Sequence, residues 1–565
     1  MSKKVLIVGG VAGGASVAAR VRRLDESAEV VMFERGPNVS FSNCCLPYHL
    51  SGEVKECNDL VLMAPDVFKN QYNIDARVYN EVTEIKREEK KVVVKNLETG
   101  EEYEESYDKL VLSPGASPIM PKSIGGITNE NVFSVRNVVD IRKIKAYADN
   151  NNVEDIVVVG GGFIGVETAE NFKMNGRNVT LVEALDQIMS PFDKDMAQIL
   201  HKEMHDNGID LILEDGVSEI GEGHVVLQSG EKIDAGLVIM AIGVAPETSL
   251  AVDAGLELGE TRGIKVDHNY LTNDPDIYAV GDAIEVYNKL TAEPCRLPLA
   301  GPAQRQARAA ADHIYGKPHN NNGVIGSSVV KIFDLNGAST GLNEKMAKAA
   351  GIPYDIVYTI PADKVGLMSG ANPMHFKLVY EYPTGKILGA QAIGKGNVDK
   401  RVDVIATMLT MGGTLEDLKE LELCYAPPFG TAKDVVNHTA LVGLNLLYGE
   451  FKQVRVTEVR DLVEKDAFII DVREEDEYEE GHLVNSVNIP LSQFRDRLDE
   501  IPKDKPVYLH CRSSQRSYNA VRALQHLGYD NVVNISGSYL GICCYEYFLD
   551  QVTDREKIVT EYNFE

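Results

Sequence analysis

The chain has 565 residues, 85 acidic and 57 basic, for a formal charge of −28. That length predicts three to four domains, the charge argues against a whole-chain nucleic-acid binder, and 44% hydrophobic residues argue against disorder. Eight cysteines are too sparse for a disulfide scaffold, and no apolar run reaches the roughly 18 residues of a membrane helix. A cytoplasmic protein with free thiols and no membrane partner is expected.

Residues 4–36 read as strand, glycine turn, helix and second strand. Lys3-Lys4 before VLIVGGVAGGASVAA mimics a secretion signal, but the pattern fits a βαβ unit better. The turn Gly9-Gly10-Val11-Ala12-Gly13-Gly14 lacks only the middle glycine of G-x-G-x-x-G, which is Val11. Backbone N–H groups at such a helix start suit a pyrophosphate, and Glu34, ending the next strand, suits ribose hydroxyls. Residues 39–52, VSFSNCCLPYHLSG, then present Cys44 and Cys45. Residues 155–185 repeat the first pattern with a complete turn, Gly160-Gly161-Gly162-Phe163-Ile164-Gly165, and an acid, Glu183. That acid would repel a 2′-phosphate, and Ala184 and Leu185 supply no cation, so NADH is expected over NADPH. The short strands in 109–117 and 236–246 read as crossings between two nucleotide domains. Residues 272–282 form a strand ending in Gly281-Asp282. From about Gly326 strands and helices alternate, with a hairpin at 377–394 around Pro383-Thr384-Gly385. A new α/β unit starts near Lys452.

Three ordered motifs over residues 5–285 resemble the two-dinucleotide flavoprotein disulfide reductases. The resemblance implies FAD on the first turn, NADH on the second, and Asp282 on the flavin's ribityl chain. The pattern Ser40-Phe41-Ser42-Asn43-Cys44-Cys45-Leu46-Pro47-Tyr48 resembles the single-cysteine branch: CoA-disulfide reductases, persulfide reductases, NADH oxidases and peroxidases. Cys44 is then the flavin-facing thiol. His49 stands where a C-x-x-x-x-C partner would be, so Cys44 must work through a mixed disulfide or a sulfenate. Attack needs the thiolate, which an oxidised flavin or a helix dipole would favour. Cys45 replaces the branch's usual glycine and is either a space-filler or a resolving thiol. The histidine that oxidases and peroxidases carry in the first turn is absent, Val11-Ala12 standing there. Tyr425, in Cys424-Tyr425-Ala426-Pro427-Pro428-Phe429, matches a tyrosine that reaches the partner subunit's site. A second tyrosine of CoA-disulfide reductases is missing from Leu367-Met368-Ser369-Gly370-Ala371, which leans toward a persulfide substrate. Arg22, Ser40, Asn43 and Lys69 are the expected contacts to CoA.

Residues 469–517 contain D-V-R-x-x-x-E-Y-x-x-G-H and then Cys511-Arg512-Ser513-Ser514-Gln515-Arg516-Ser517. This resembles a single rhodanese domain, and implies Cys511 as sulfane-sulfur carrier, Asp471 and Arg473 as support, and Arg512 and Arg516 as substrate contacts. Four residues separate Cys511 from Arg516, one too few for the phosphatase loop. Ser514 stands where glycine is common, Asn485 is a second departure, and Cys543-Cys544 replaces an aromatic-rich end and reads as buried thiols.

The expected fold is α/β. Residues 1–118 and 246–325 form the FAD-binding domain and 119–245 the NADH-binding domain. Residues 326–448 form an α+β dimerisation domain, and 452–565 the α/β rhodanese domain. The cofactor-binding residues are Gly9, Gly13, Gly14, Glu34, Gly281 and Asp282 for FAD, and Gly160, Gly162, Gly165 and Glu183 for NADH. The catalytic residues are Cys44, Cys511 and Tyr425, with no metal. The resemblance implies a cytoplasmic homodimer that reduces CoA persulfide or polysulfide with NADH. The alternatives are a CoA-disulfide reductase, an NADH oxidase or peroxidase, and a flavin redox sensor.

Overall fold

A computed structural model describes residues 2–319 and 321–564. The chain divides into two units, residues 1–184 with 214–324, and residues 185–213 with 325–565.

In the first unit the β-branched run Lys4–Val8 becomes the centre of a parallel sheet. Its order is Ile277–Ala279, Lys109–Leu112, Lys4–Val8, Glu29–Glu34, Asp75–Val78. The run is buried on both faces, as a parallel strand requires. The helix Ala12–Leu24 packs on the helix Ala300–Ile314 and covers one face. A second parallel sheet is built around Asp155–Val159, flanked by Asn178–Val182 and Leu237–Met240. The strands starting at 4 and 155 thus each lead into a glycine turn. The two crossing segments end in Ala116–Pro118 and Val244–Pro246, which pair antiparallel. This is the double strand expected between nucleotide domains.

The second unit holds an antiparallel five-stranded sheet in the order Ser328–Ile332, Leu335–Gly341, Ile387–Gly394, Met374–Glu381, Tyr354–Thr359. The two strands around Pro383 form the expected hairpin. The helices Val398–Met411 and Val435–Leu447 accompany the sheet. The end of the chain forms a parallel sheet in the order Gln453–Val454, Val532–Ile535, Val507–His510, Phe468–Asp471, Val487–Asn488. Residues 185–213, assigned from sequence to the NADH-binding region, belong to this second unit. One reason is a buried ammonium: Lys377 Nζ lies 2.8 Å from Asp195, 3.1 Å from Asp193 and 2.6 Å from Glu344. A lysine with no exposed surface needs such partners, and two of them come from this segment. Among the described residues no helix is long and apolar enough to cross a membrane.

Candidate active sites

Both glycine turns are shaped by close backbone packing. A Cβ on Gly14 would collide with the carbonyl oxygen of Gly9, and one on Gly165 with that of Gly160. Each helix therefore starts tight against its strand. Gly162 has open space where a Cβ would stand. The two acids are pre-oriented. Glu34 accepts the Gly10 N–H at 3.0 Å and the Gly36 N–H at 2.8 Å, and Glu183 accepts the Gly161 N–H at 2.6 Å.

The first turn opens into a cavity of about 560 Å³. Its wall includes Gly9, Gly13, Glu34, Cys44, Gly281 and Asp282. These are residues from four separated stretches of chain, brought to the C-terminal edge of one parallel sheet, where open α/β sheets place their ligands. Ser40 and Asn43 line the same cavity. Ser40 is held with φ +50° by its N–H on the Gly10 carbonyl. The glycine cradle, the oriented ribose acid and the half-buried Asp282 fit a dinucleotide with a pyrophosphate, so FAD suits this cavity. Gly160, Gly162, Gly165 and Glu183 build a second turn of the same shape.

Cys44 is exposed on that wall, in the short turn Asn43–Cys45. The protein's own groups do not favour its thiolate. Burial raises its pKa first, followed by the charges of Glu167, Cys45 and Asp282. The expected helix dipole is absent, because the turn has three residues and the following helix Tyr48–Ser51 only four. That expectation is corrected: any lowering must come from what binds beside the sulfur. Glu167, on the helix Phe163–Met174, is itself unusual. Burial and then the neighbouring Glu170 carry its carboxyl to about 7. Nothing in the glycine-turn pattern signals this role. Cys45 faces a second groove of about 420 Å³ that includes Glu53, Lys55 and Asp59.

The Cys511 loop follows the strand Val507–His510 and precedes the helix Gln515–His526. Cys511 is 1% exposed. Ser517 Oγ donates to its Sγ at 3.6 Å, and the Tyr539 N–H donates to its carbonyl at 3.0 Å. Arg473 pairs with Asp471 at 2.6 Å, donates to the Gly481 carbonyl at 2.6 Å, and lies 4.1 Å over the Tyr539 ring. Asp471 and Arg473 thus support the loop through Tyr539. Arg516 grips Glu477 with two bonds of 2.6 and 2.7 Å, which raises the guanidinium's pKa and lowers that of the carboxyl. Arg512 is half-buried, and burial lowers its pKa. Ser514 has φ +75° and Asn485 φ +64°. Both departures fall at left-handed positions, which explains why glycine would be comfortable there.

Residues 3–307 match the pyridine nucleotide-disulphide oxidoreductase family, 327–435 its dimerisation domain, and 455–543 a rhodanese-like domain. The chain belongs to the pyridine nucleotide-disulphide oxidoreductase family. The coenzyme A disulfide reductase of Staphylococcus epidermidis is 33% identical over 435 residues, 77% of this chain and 98% of that one. The crystal structure of reduced Bacillus anthracis CoADR-RHD is 45% identical with a TM-score of 0.94, covering 98% of this chain and 99% of that one. The NAD-dependent persulfide reductase from A. fulgidus is 34% identical with a TM-score of 0.91, covering 95% and 99%.

Two expected contacts of this oxidoreductase are not brought to the cavity. Arg22 is 5% exposed. Its guanidinium donates to the carbonyls of Tyr72, Asn73, Asp25 and Glu26 at 2.6–3.1 Å. It ties off chain ends after two helices and has little left for a CoA phosphate, so that assignment is corrected. Lys69 is exposed in the last turn of the helix Pro65–Tyr72, away from the cavity wall. Tyr425 is half exposed in a loop. Cys543 and Cys544 are buried, and burial pushes their thiols to about 11 and about 12, which makes them inert as nucleophiles.

Proposed function

We propose that this oxidoreductase uses NADH and FAD to reduce the sulfane sulfur of a persulfide, such as CoA persulfide or a polysulfide, releasing thiol and sulfide. The observation that carries the reading is a single thiol, Cys44, on the wall of an FAD-shaped cavity, in a chain that also builds a sulfur-carrying loop at Cys511. Residues 1–118 and 246–325 are assigned to FAD, 119–245 to NADH, 326–448 to dimerisation and 452–565 to the rhodanese.

Bound FAD would supply the two electrons that originate on NADH. The Cys44 thiolate attacks the outer sulfur of R–S–SH, forming Cys44–S–SH and releasing RS⁻. Two electrons then break that S–S bond, giving back the Cys44 thiolate and HS⁻. The first glycine turn and Glu34 orient the cofactor, Asp282 holds its ribityl chain, and Ser40 and Asn43 shape the substrate's approach. In a homodimer Tyr425 from the partner subunit donates the proton to the leaving thiol. Cys511 accepts sulfane sulfur from donors, and Arg512 attracts their charge.

The likeness to the Staphylococcus reductase favours a second reading, in which CoA disulfide is the main substrate and the rhodanese an accessory. The lack of a tyrosine in Leu367–Ala371 supports the persulfide reading over it. NADH oxidation measured with CoA persulfide and with CoA disulfide separates them. Faster persulfide turnover is expected; faster disulfide turnover overturns the preference.

A further inference from the structure

Two serines occupy left-handed backbone under the Cys511 loop. Ser514 has φ +75° and Ser538 φ +48°. A side chain in this region carries a backbone cost that glycine does not. Something must offset that cost twice. Their hydroxyls are 3.1 Å apart, and both reach the Ile535 carbonyl, at 3.0 and 3.2 Å. Ser538 is fully buried, and its Oγ accepts the backbone N–H of Cys511 at 3.2 Å. Each hydroxyl has one proton, so one serine donates to the Ile535 carbonyl and the other to its neighbour's Oγ, while Ser538 Oγ accepts the Cys511 N–H. Such chains strengthen each member and fix geometry.

We infer that Ser538, braced by Ser514, is a positioning residue for sulfur transfer at Cys511. It turns the Cys511 amide toward the floor of the loop and so aims Sγ at the Ser517 hydroxyl, its donor at 3.6 Å. The Ser514 carbonyl lies 3.1 Å from the same Ser517 Oγ and competes for its one proton, which an anionic sulfur on Cys511 draws to itself. Cys511 must hold negative charge twice. The thiolate attacks the outer sulfur of a donor such as thiosulfate, giving Cys511–S–S⁻ and sulfite. Cyanide then takes that sulfur as thiocyanate and restores the thiolate. Both anions sit where the Ser517 O–H points.

The inference rests on the proposed sulfur transfer at Cys511, and the test keeps the two apart. Thiosulfate-to-cyanide transfer and the pH profile of Cys511 alkylation, resolved by peptide mass spectrometry, are measured on the full-length protein and on Ser538→Gly, Ser514→Gly and Ser517→Ala. Glycine relieves the backbone strain, so Ser538→Gly should melt no lower than the parent. It should nonetheless alkylate Cys511 about fivefold more slowly at neutral pH, with the profile moved to higher pH. Ser514→Gly should do the same more weakly. Ser538→Gly added to Ser517→Ala should have little further effect, because both act through one contact. A Ser538→Gly protein with parental alkylation and transfer overturns the inference. Transfer that survives Cys511→Ser overturns instead the assignment of sulfur to that thiol.

Discussion

The two thiols solve opposite problems. Cys44 is exposed on a broad cavity, and the protein around it disfavours the anion through burial and the charges of Glu167, Cys45 and Asp282. Cys511 is 1% exposed, with the Ser517 hydroxyl on its sulfur and its amide held by Ser538 in a hydrogen-bonded floor. The difference teaches where activation comes from. At Cys511 the loop itself supplies the donors, so sulfur chemistry is available in the bare fold. At Cys44 the protein's own groups hold the thiol back from ionising.

Substituting each thiol separately breaks this comparison most sharply. Cys44→Ser should lower NADH-dependent reduction of persulfide by at least about 10³-fold, read as NADH consumption, while leaving thiosulfate-to-cyanide transfer intact. Cys511→Ser should do the reverse, lowering transfer by on the order of 10²-fold and leaving NADH consumption within about twofold. Equal loss of both activities in either variant would mean that the two thiols form one obligatory path.

A smaller effect is expected at the second glycine turn. Glu183→Ala removes the carboxylate that the Gly161 N–H orients. The KM for NADH should rise about tenfold, and the preference over NADPH should shrink by a similar factor. Comparing initial rates with the two nucleotides checks it.

The smallest effect concerns the electrostatic reserve. Glu167 titrates near 7 in the folded protein against an ordinary value of 4.5. The folded state therefore keeps a proton that the unfolded chain has lost between those values. That contribution to stability is fully present below 4.5 and is lost as pH rises through 7. Glu167→Gln should flatten the fall of Tm across this window. It should also remove one of the charges that raise Cys44, making Cys44 alkylation about two- to threefold faster above neutral pH. An unchanged Cys44 rate would show that burial alone holds the thiol back.

Much of this was legible in the sequence, for a local reason. A glycine turn, the strand before it and the acid about 20 residues later are demands of one βαβ unit, so Gly14, Glu34, Gly165 and Glu183 could be read directly. The thiol loop after Val507–His510 is equally local. What was not legible depends on distant segments. Arg22 resembles a free cation at a helix end, yet its acceptors at Tyr72 and Asn73 lie some fifty residues away. Lys377 gives no sign that it draws residues 185–213 into the second unit. Glu167 looks like an ordinary helix acid until burial and Glu170 are known. Ser538 follows a glycine at the start of the helix Ser538–Val552, and only its φ and its bond to the Cys511 amide give it meaning.

The most direct test of the central claim follows the redox state of Cys44 itself. The protein is treated with CoA disulfide, freed of small molecules, and titrated anaerobically with NADH, and alkylation of Cys44 is quantified at each step. The account predicts that Cys44 starts blocked as a mixed disulfide and becomes alkylatable in proportion to NADH, reaching completion near one equivalent per subunit. A Cys44 that stays equally alkylatable throughout while NADH is consumed would contradict it.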